Sequence, residues 1–319
     1  MSLLERLGVE HPVVQAGMGG GVSRHELAAA VSEAGGLGTI AVAGATAIRR
    51  EIRAARERTA RPIAVNVLLP IARRSWFQAA SEADVLVTFW GEPRRRSPQP
   101  WLHQCGSVDE ARAAHRAGAD GVIVQGVEAG GHVRGLTPAH RLLEEVRAAL
   151  PADYPLLLTG GIAERADVDR ALQAGACAAV AGTRFLMTPE SCAHPEYKRR
   201  LLDADETVLT ELFGFGWPAA HRVVPNAATQ RQLTASGGVP TLNKVINHLS
   251  AAGARSTPMK VQWMLAQRQR PDSHLLTPFS PVAELPESFV DAGPLYAGET
   301  IARVSDIRPA AQVVADLAG

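Results

Sequence analysis

The sequence predicts an α/β fold, a TIM-like (β/α)8 barrel with a smaller, mostly helical cap from the C-terminal third of the chain. Three observations lead to this prediction. Eight short apolar runs lie between residues 12 and 181, glycine-rich turns follow them, and the segments between them have the periodicity of amphipathic helices. After residue 185 this alternation stops. We therefore expect a barrel over residues 1–205, a helix-rich cap over 206–300, and a C-terminal helix within 301–319 that packs back on the barrel.

The eight strands are predicted from apolar runs, which are typical of parallel strands buried on both faces. In chain order they cover residues 12–15, 37–41, 63–68, 85–89, 101–104, 121–124, 156–159 and 178–181. Helices are predicted over residues 48–58, 108–117, 136–150, 163–174, 189–202 and 309–317, with another capped by Ser23 and a helix-rich stretch over 241–269. We predict no crossover helix between strands four and five, because the short segment 91–100 contains three prolines.

A doubly wound Rossmann sheet is the alternative fold, since residues 17–21 resemble a glycine-rich dinucleotide loop. That fingerprint requires an acidic residue about 20 positions further on, at the end of the second strand. The second strand here ends in Ala41-Val42-Ala43-Gly44. The absence of an acidic side chain at that point favours the barrel.

Composition excludes several classes of function. The chain has 33 lysines and arginines and 32 aspartates and glutamates, so its net charge gives no reason to expect nucleic acid or an anionic membrane as a partner. The basic run 94–96 is interpreted as a solvated loop. No apolar run reaches the roughly 18 residues of a membrane span, and residues 1–6 do not resemble a signal peptide. Three cysteines without metal-type spacing indicate reduced thiols, and we expect a cytoplasmic protein with no metal.

Polar and glycine residues cluster where the predicted strands end, at the rim where barrels carry their active sites. Gly160-Gly161 and Gly182-Thr183 follow strands seven and eight, a common position for a phosphate site, although a tight turn also explains the first pair. Asn66 and Gln125 can each donate and accept hydrogen bonds, as a flavin ring would require, or satisfy local backbone. Residues 16–18, including Met18, would offer a backbone edge and an apolar wall to the same ring.

His132 is the histidine that closes a glycine-rich loop, residues 125–132, after strand six. Its position predicts a general base or an imidazolium that stabilises an anionic substrate, with a capping or solvated histidine as the alternative. Glu128 in the same loop is as readily structural as catalytic. His103 is interpreted as a packed, hydrogen-bonded imidazole, because it lies within strand five. In the cap, Phe213, Phe215 and Trp217 indicate an apolar substrate pocket.

The pattern QGxEAGGH over residues 125–132 resembles the signature of the nitronate monooxygenase family, which includes related FMN-dependent enoyl-acyl-carrier-protein reductases. Further motifs of the same family are similar to residues 15–19, 65–67, 160–162, 182–185 and 212–224. The resemblance implies a TIM-like barrel that holds non-covalent FMN. Its motifs assign FMN contacts to Met18, Asn66, Gln125, Gly130, Gly161, Val180, Ala181, Gly182 and Thr183, and the catalytic role to His132.

The activity that the resemblance implies is oxidation of alkyl nitronates or nitroalkanes by O2 to carbonyl compounds and nitrite. A reductase that uses NAD(P)H on enoyl thioesters or quinones is the alternative, followed by a flavin-binding protein without activity. The expected partners are a small-molecule substrate and O2, and a homodimer is allowed. Two departures from the family pattern stand out: the crossover after strand four is short and proline-rich, and Val180-Ala181 replace a side-chain amide found in many members.

Overall fold

Eight parallel strands form a ring at the centre of the computed structural model, which describes residues 3–234, 236–254, 257 and 259–319. The ring strands are Val13–Gln15 (β1), Gly38–Ile40 (β2), Ile63–Leu68 (β3), Val85–Phe89 (β4), Trp101–Cys105 (β5), Gly121–Gln125 (β6), Leu156–Thr159 (β8) and Ala178–Ala181 (β9), while Gly131–His132 (β7) lies outside it. Their order is β1-β9-β8-β6-β5-β4-β3-β2. The Gln15 amide donates to the Leu37 carbonyl at 2.9 Å and the Leu37 amide to the Val13 carbonyl at 3.0 Å, which joins β1 to β2. The predicted barrel is confirmed.

The barrel helices lie outside the ring, as predicted. They are His25–Glu33 (α2), Ala45–Arg56 (α3), Arg74–Ala80 (α4), Val108–Arg116 (α5), Ala139–Ala149 (α6) and Arg165–Gln173 (α7), while the preceding Leu3–Arg6 (α1) packs against the residues that fill the ring. Short α4 escaped sequence-based prediction. The expectation that Ser23 caps α2 is wrong: the helix begins after Arg24 without a side-chain cap. The Ser23 hydroxyl instead accepts from the Met18 amide at 2.9 Å and donates to the Met18 carbonyl at 3.1 Å, so it stabilises the loop after β1.

Two apolar layers account for the stability of the barrel. One fills the ring and includes Val14, Ala64, Leu102 and Ile123, with the side chains of α1 closing its lower end. The other lies between the strands and the outer helices. Because side chains alternate between the two faces of a strand, Asn66 points the same way as Ala64, towards the ring interior.

The crossover from β4 to β5 contains no helix, which confirms the prediction made from its prolines. Arg95 lies over the Trp101 ring at 5.8 Å and pairs with Asp120 at 2.7 Å, so an arginine covers the outer face of β5. Behind it, the Trp101 indole donates to the Thr88 hydroxyl at 2.7 Å, and Nδ1 of His103 lies 2.8 Å from the same oxygen. His103 is therefore the packed imidazole that its position predicted, and burial lowers its pKa to about 4.

The C-terminal third combines helices with a small antiparallel sheet. Its helices are Thr183–Leu186 (α8), Pro195–Leu202 (α9), Ala227–Gln232 (α10), Thr241–Ala254 (α11), Met259–Gln267 (α12) and Ala310–Ala318 (α13), and its strands are Val208–Thr210 (β10), His221–Val224 (β11) and Leu295–Tyr296 (β12). The strand β7 joins this sheet by pairing with β11. The helix α13 packs against α2 and α7 of the barrel. None of the described helices combines the length and apolar character that crossing a bilayer requires.

Candidate active site

His132 lies in β7 inside a cluster of aromatic rings. Its imidazole stacks on Trp217 with ring centroids 3.9 Å apart and planes inclined by 11°. Trp90 approaches edge-on at 6.0 Å, and Tyr296 lies at 5.6 Å. These rings come from the β4 end, the cap loop before β11, and β12, so three distant parts of the chain enclose one imidazole. Trp217 excludes water from one face of the His132 ring, and the surrounding rings restrict its orientation.

The electrostatics of the cluster keep His132 neutral. Burial holds the pKa of His132 well below its ordinary value of 6.5, and neighbouring His221 lowers it further. His221 is itself neutral, with its pKa lowered to about 4 by burial. Its Nδ1 donates to the Ala219 carbonyl at 2.9 Å and its Nε2 accepts from the Phe213 amide at 3.3 Å. Among the described residues, Nε2 of His132 is buried and has no hydrogen-bond partner, so it is available to a substrate.

The loop that carries His132 is held by two of its own polar side chains. The Gln125 amide group donates from Nε2 to the His132 carbonyl at 2.9 Å, and its Oε1 accepts from the Arg134 backbone amide at 3.0 Å. Both carboxylate oxygens of Glu128 accept from the Ala139 amide, at 3.1 and 3.0 Å, at the start of α6. Glu128 therefore caps α6, so of the two roles considered for it, structural and catalytic, the structure shows the structural one. Gln125 keeps a second amide proton for a ligand.

Gly130 lets the same loop approach the C-terminal segment. A Cβ at position 130 would lie 2.5 Å from the backbone of Ala297 and of Gly298, closer than real contacts allow. The Gly298 amide in turn donates to the Thr183 hydroxyl oxygen at 2.9 Å. The Thr183 hydroxyl retains its own proton for donation. Residues 297–298 thus connect the histidine loop with the loop after β9.

Asn66 reaches the rim of the barrel beside the loop after β1. Its Nδ2 donates to the Gly17 carbonyl at 3.2 Å, while its Oδ1 is buried without a partner among the described residues. A Cβ at position 17 would lie 2.5 Å from the Asn66 Cβ, so only glycine fits there. Met18, the next residue, is partly buried between the barrel and cap cores. An unsatisfied buried acceptor of this kind indicates a missing donor, such as an N–H group of a ligand.

The remaining predicted contact residues lie at the ends of β8 and β9. Gly161 has φ +80° and no atom within 4 Å of where a Cβ would be, so its loop borders open space. Val180 and Ala181 are buried in β9, and Gly182 and Thr183 follow them. The Val180 carbonyl accepts from the Thr159 hydroxyl at 3.0 Å. Parallel strands bring all these positions to one rim, together with Asn66 and Gln125.

Sequence reasoning missed two residues of the His132 cluster and misplaced two others. Trp90 directly follows β4, so its place at a strand end was an available signal. Tyr296 lies far along the chain in an irregular segment, and no local pattern pointed to it. Of the three cap aromatics, Trp217 contacts His132, whereas Phe213 is buried in a separate cap cluster next to His221. The Phe215 amide binds the Leu276 carbonyl at 3.1 Å, and no contact of its ring with His132 is found among the described residues.

The family model of nitronate monooxygenase matches residues 1–87 and 100–319 of the chain. The chain belongs to the nitronate monooxygenase family. A nitronate monooxygenase from Pseudomonas aeruginosa is 32% identical over 61% of this chain and 71% of its own length. A 5-hydroxy-7a-methyl-1-oxo-octahydro-1H-indene-4-carboxyl-CoA dehydrogenase from Rhodococcus jostii is 31% identical over 96% of this chain and 91% of its own length.

Two solved structures extend the family relationship over almost the whole chain. FabK from Thermotoga maritima has a TM-score of 0.77 and 26% identity, and the match covers 99% of this chain and 94% of FabK. Nitroalkane oxidase from Streptomyces ansochromogenes has a TM-score of 0.74 and 29% identity, with 99% and 97% covered. This member of the nitronate monooxygenase family is therefore a flavin-dependent oxidoreductase, which confirms the predicted family and enzyme class.

Proposed function

We propose that the protein is an FMN-dependent nitronate monooxygenase that converts alkyl nitronates, or nitroalkanes after deprotonation, into carbonyl compounds and nitrite. Two nitronate anions and one O2 give two carbonyl molecules and two nitrite anions, which balances atoms and charge. One observation carries the proposal: a neutral imidazole whose buried Nε2 has no partner among the described residues stands at the rim of a flavin-family barrel.

The residues of the chain supply a base and an enclosed site. In the tautomer protonated at Nδ1, Nε2 of neutral His132 accepts the proton from the carbon next to the nitro group, since that nitrogen has no partner among the described residues. Stacked Trp217 keeps the ring from rotating away and excludes water from one side. Because burial keeps His132 neutral before the substrate reacts, the imidazole starts in the form that a base needs, and we prefer the base role to the imidazolium role considered from sequence.

The rim residues fit FMN as the group that would be held there. The unpaired Oδ1 of Asn66 can accept a hydrogen bond from an N–H group of the flavin ring. The open space beside Gly161 can hold the phosphate against backbone amides. Met18, Gln125, Gly130 and residues 180–183 are the remaining proposed contacts. When bound, FMN would accept electrons from the substrate and pass them to O2.

Reduction of a carrier-linked substrate by NAD(P)H is the second candidate. The similarity to the Rhodococcus jostii CoA-ester dehydrogenase covers nearly the whole chain, and FabK shares the fold at full length.

The two candidates differ in the electron donor. Anaerobic mixing of the purified flavoprotein with propyl nitronate should bleach the flavin absorbance near 450 nm, whereas NADH or NADPH should not. Bleaching by the nicotinamide alone would assign the reductase instead.

The role of His132 is tested with a neutral nitroalkane and with its preformed nitronate. His132→Asn should lower turnover of nitroethane by at least about a hundredfold, the range expected for a positioned base, and lower nitronate turnover much less. His115→Asn is the matched control, because His115 lies in the last turn of α5 and contacts Tyr154 rather than the His132 cluster. Equal losses on both substrates would rule out proton abstraction by His132.

A further inference from the structure

Two polar atoms in the stack of His132 and Trp217 are buried without a hydrogen-bond partner among the described residues. One is Nε2 of His132, and the other is Nε1 of Trp217. An indole N–H can only donate, and it usually finds an acceptor when it is buried. Because the ring centroids are 3.9 Å apart, an unpaired acceptor and an unpaired donor lie in two rings that touch. This pairing indicates a ligand that contacts both rings.

The other polar side chains that face His132 from the cap are already paired. The Tyr296 hydroxyl donates to a backbone carbonyl at 2.9 Å. Both ring nitrogens of His221 are paired with backbone groups. Within the described chain, the indole N–H of Trp217 is therefore the buried donor of this cluster that is left for a ligand.

The cap loop holds the Trp217 indole in place. The Trp217 amide donates to the Gly214 carbonyl at 2.9 Å, and the Gly216 amide donates to the Ser250 hydroxyl of α11 at 2.8 Å. Trp90 meets the indole edge-to-face, with centroids 5.3 Å apart and planes inclined by 90°. A donor that packing fixes before the ligand arrives needs no reorganisation during the reaction, which is the property of an effective electrostatic catalyst.

A cavity of about 640 Å³ borders the same indole. Its walls include Gly216 and Trp217 of the cap loop, together with Trp90 after β4. This volume falls within the ordinary range of ligand pockets. Trp217 therefore contacts both His132 and a space that a small ligand can enter.

Proton transfer to His132 creates a need for a hydrogen-bond donor. When Nε2 of His132 takes the proton, the electron pair of the broken C–H bond forms a C=N bond, and the negative charge passes to the nitro oxygens. These oxygens lie two bonds from the reacting carbon, so a substrate with that carbon at His132 presents them to a neighbouring ring. A donor that meets charge developing in the transition state lowers the barrier more than it strengthens binding of the neutral substrate.

We propose that the indole N–H of Trp217 donates a hydrogen bond to a nitro oxygen of the substrate, so that Trp217 is a catalytic residue beside His132. Nε2 of His132 holds the proton, and Nε1 of Trp217 stabilises the charge that the proton leaves on oxygen. The stacked rings keep the two atoms in a fixed relation. This inference rests on the proposed function for the identity of the reacting group.

Two replacements at position 217 test the N–H separately from the ring. Trp217→Phe keeps an aromatic face without a donor, and 3-benzothienylalanine at this position keeps the bicyclic shape with sulfur in place of N–H. For nitroethane, each should lower kcat about tenfold to a hundredfold, at or below the usual effect of removing one oxyanion donor. For ethyl nitronate, each should mainly raise KM, because the charge is present before the reaction.

Trp76→Phe is the matched control, because Trp76 lies on α4 in the outer layer of the barrel. Its kcat and KM should equal those of the wild type. If 3-benzothienylalanine at position 217 leaves kcat for nitroethane unchanged, the N–H takes no part in the reaction and the proposal is overturned. A loss in Trp217→Phe alone would then be due to the shape of the ring.

Binding without turnover separates this inference from the proposed function. 2-Methyl-2-nitropropane carries a nitro group but no hydrogen on the adjacent carbon, so His132 cannot deprotonate it. In holoenzyme with ¹⁵N-labelled tryptophan, this compound should move the indole N–H resonance of Trp217, identified as the one absent from Trp217→Phe, and leave that of Trp76 in place. If the Trp217 resonance does not move while nitronates are oxidised, the hydrogen-bond proposal fails and the monooxygenase proposal stands. If the resonance moves but no nitro compound is oxidised, the reverse holds.

Discussion

Gly17→Ala tests whether Asn66 is held in place for a flavin. The new Cβ would lie 2.5 Å from the Asn66 Cβ, 2.8 Å from its Cγ and 2.9 Å from its Nδ2. Ordinary contacts begin at 3.4 Å, so the Asn66 side chain must move by about 1 Å. That movement breaks the 3.2 Å hydrogen bond from Nδ2 to the Gly17 carbonyl and displaces the unpaired Oδ1.

The magnitude follows from the cost of overpacking. Overpacking of a tight contact costs about 1–3 kcal/mol, and a lost hydrogen bond adds about 0.5–1.5 kcal/mol. Partial relaxation of the loop reduces this sum, and we expect Gly17→Ala to lower the free energy of unfolding by about 1–3 kcal/mol. Loss of one flavin hydrogen bond of about 1.4 kcal/mol would weaken FMN affinity about tenfold.

The assay compares Gly17→Ala with Gly19→Ala in the same loop. Nothing lies within 4 Å of a Cβ at position 19, so that variant should change the free energy of unfolding by less than about 0.5 kcal/mol. FMN affinity is measured by quenching of flavin fluorescence on titration with apoprotein. Urea denaturation of the apoprotein measures stability without the contribution of bound ligand.

Two results would refute this reasoning in different ways. If Gly17→Ala loses stability but binds FMN as tightly as wild type, Asn66 is not a flavin contact. If neither quantity changes, position 17 tolerates a side chain and the close approach to Asn66 is not required. A tenfold loss of affinity in Gly19→Ala as well would attribute the effect to the loop in general.

Three further predictions follow from the histidines and from the loop. Because the pKa of His132 lies well below 6.5, its imidazole stays deprotonated, and kcat/KM for nitroethane should not change between pH 8 and about pH 6. An inflection of kcat/KM near pH 6.5 would contradict a neutral imidazole at this position. Gln125→Leu leaves the His132 carbonyl and the Arg134 amide unpaired, and urea denaturation should show a loss of about 1–3 kcal/mol, with Gln125→Glu intermediate since it keeps the acceptor. His103 and His221 have pKa values of about 4 in the folded protein, so the unfolded chain binds more protons below pH 6.5. As the pH falls from 6.5 to 4, the free energy of unfolding should therefore fall by about 1.4 kcal/mol per pH unit for each of the two histidines, measured by denaturation at successive pH values. A free energy of unfolding that does not change over this range would refute their assignment as buried neutral groups.

The barrel was predictable because its signals are local. Runs such as Ile63–Leu68 and Val85–Phe89 are apolar enough to require burial on both faces, and the structure has both strands at the predicted residues. The prolines of segment 91–100 correctly excluded a helix. Ser23 shows the limit of local signals, since a hydroxyl before a helix can bind the preceding loop as well as the helix itself.

The candidate site was predictable only where glycine and polar residues follow a strand. His132 falls in such a loop and Asn66 near the end of β3, and the structure gives each of them a buried polar atom without a partner among the described residues. Of the aromatic partners of His132, Trp90 follows a strand, whereas Trp217 and Tyr296 do not. Trp217 comes from an irregular segment and Tyr296 from the two-residue strand β12. Their approach to the imidazole depends on the pairing of β11 with β7 and with β12, which no periodicity in the sequence indicates.

This division between local and tertiary signals bears on how the enzyme is specialised. The groups proposed for flavin and proton transfer lie in segments that the family model matches, whereas Trp90, Arg94 and Arg96 lie in the segment that it does not. That segment packs against the barrel through Arg95 and Trp101, and after Phe89, where β4 ends, it contributes no barrel strand or helix. It can therefore vary without disturbing the ring. We expect a change of substrate to be achieved most easily there, because this segment can change while His132 keeps its stacking contact with Trp217.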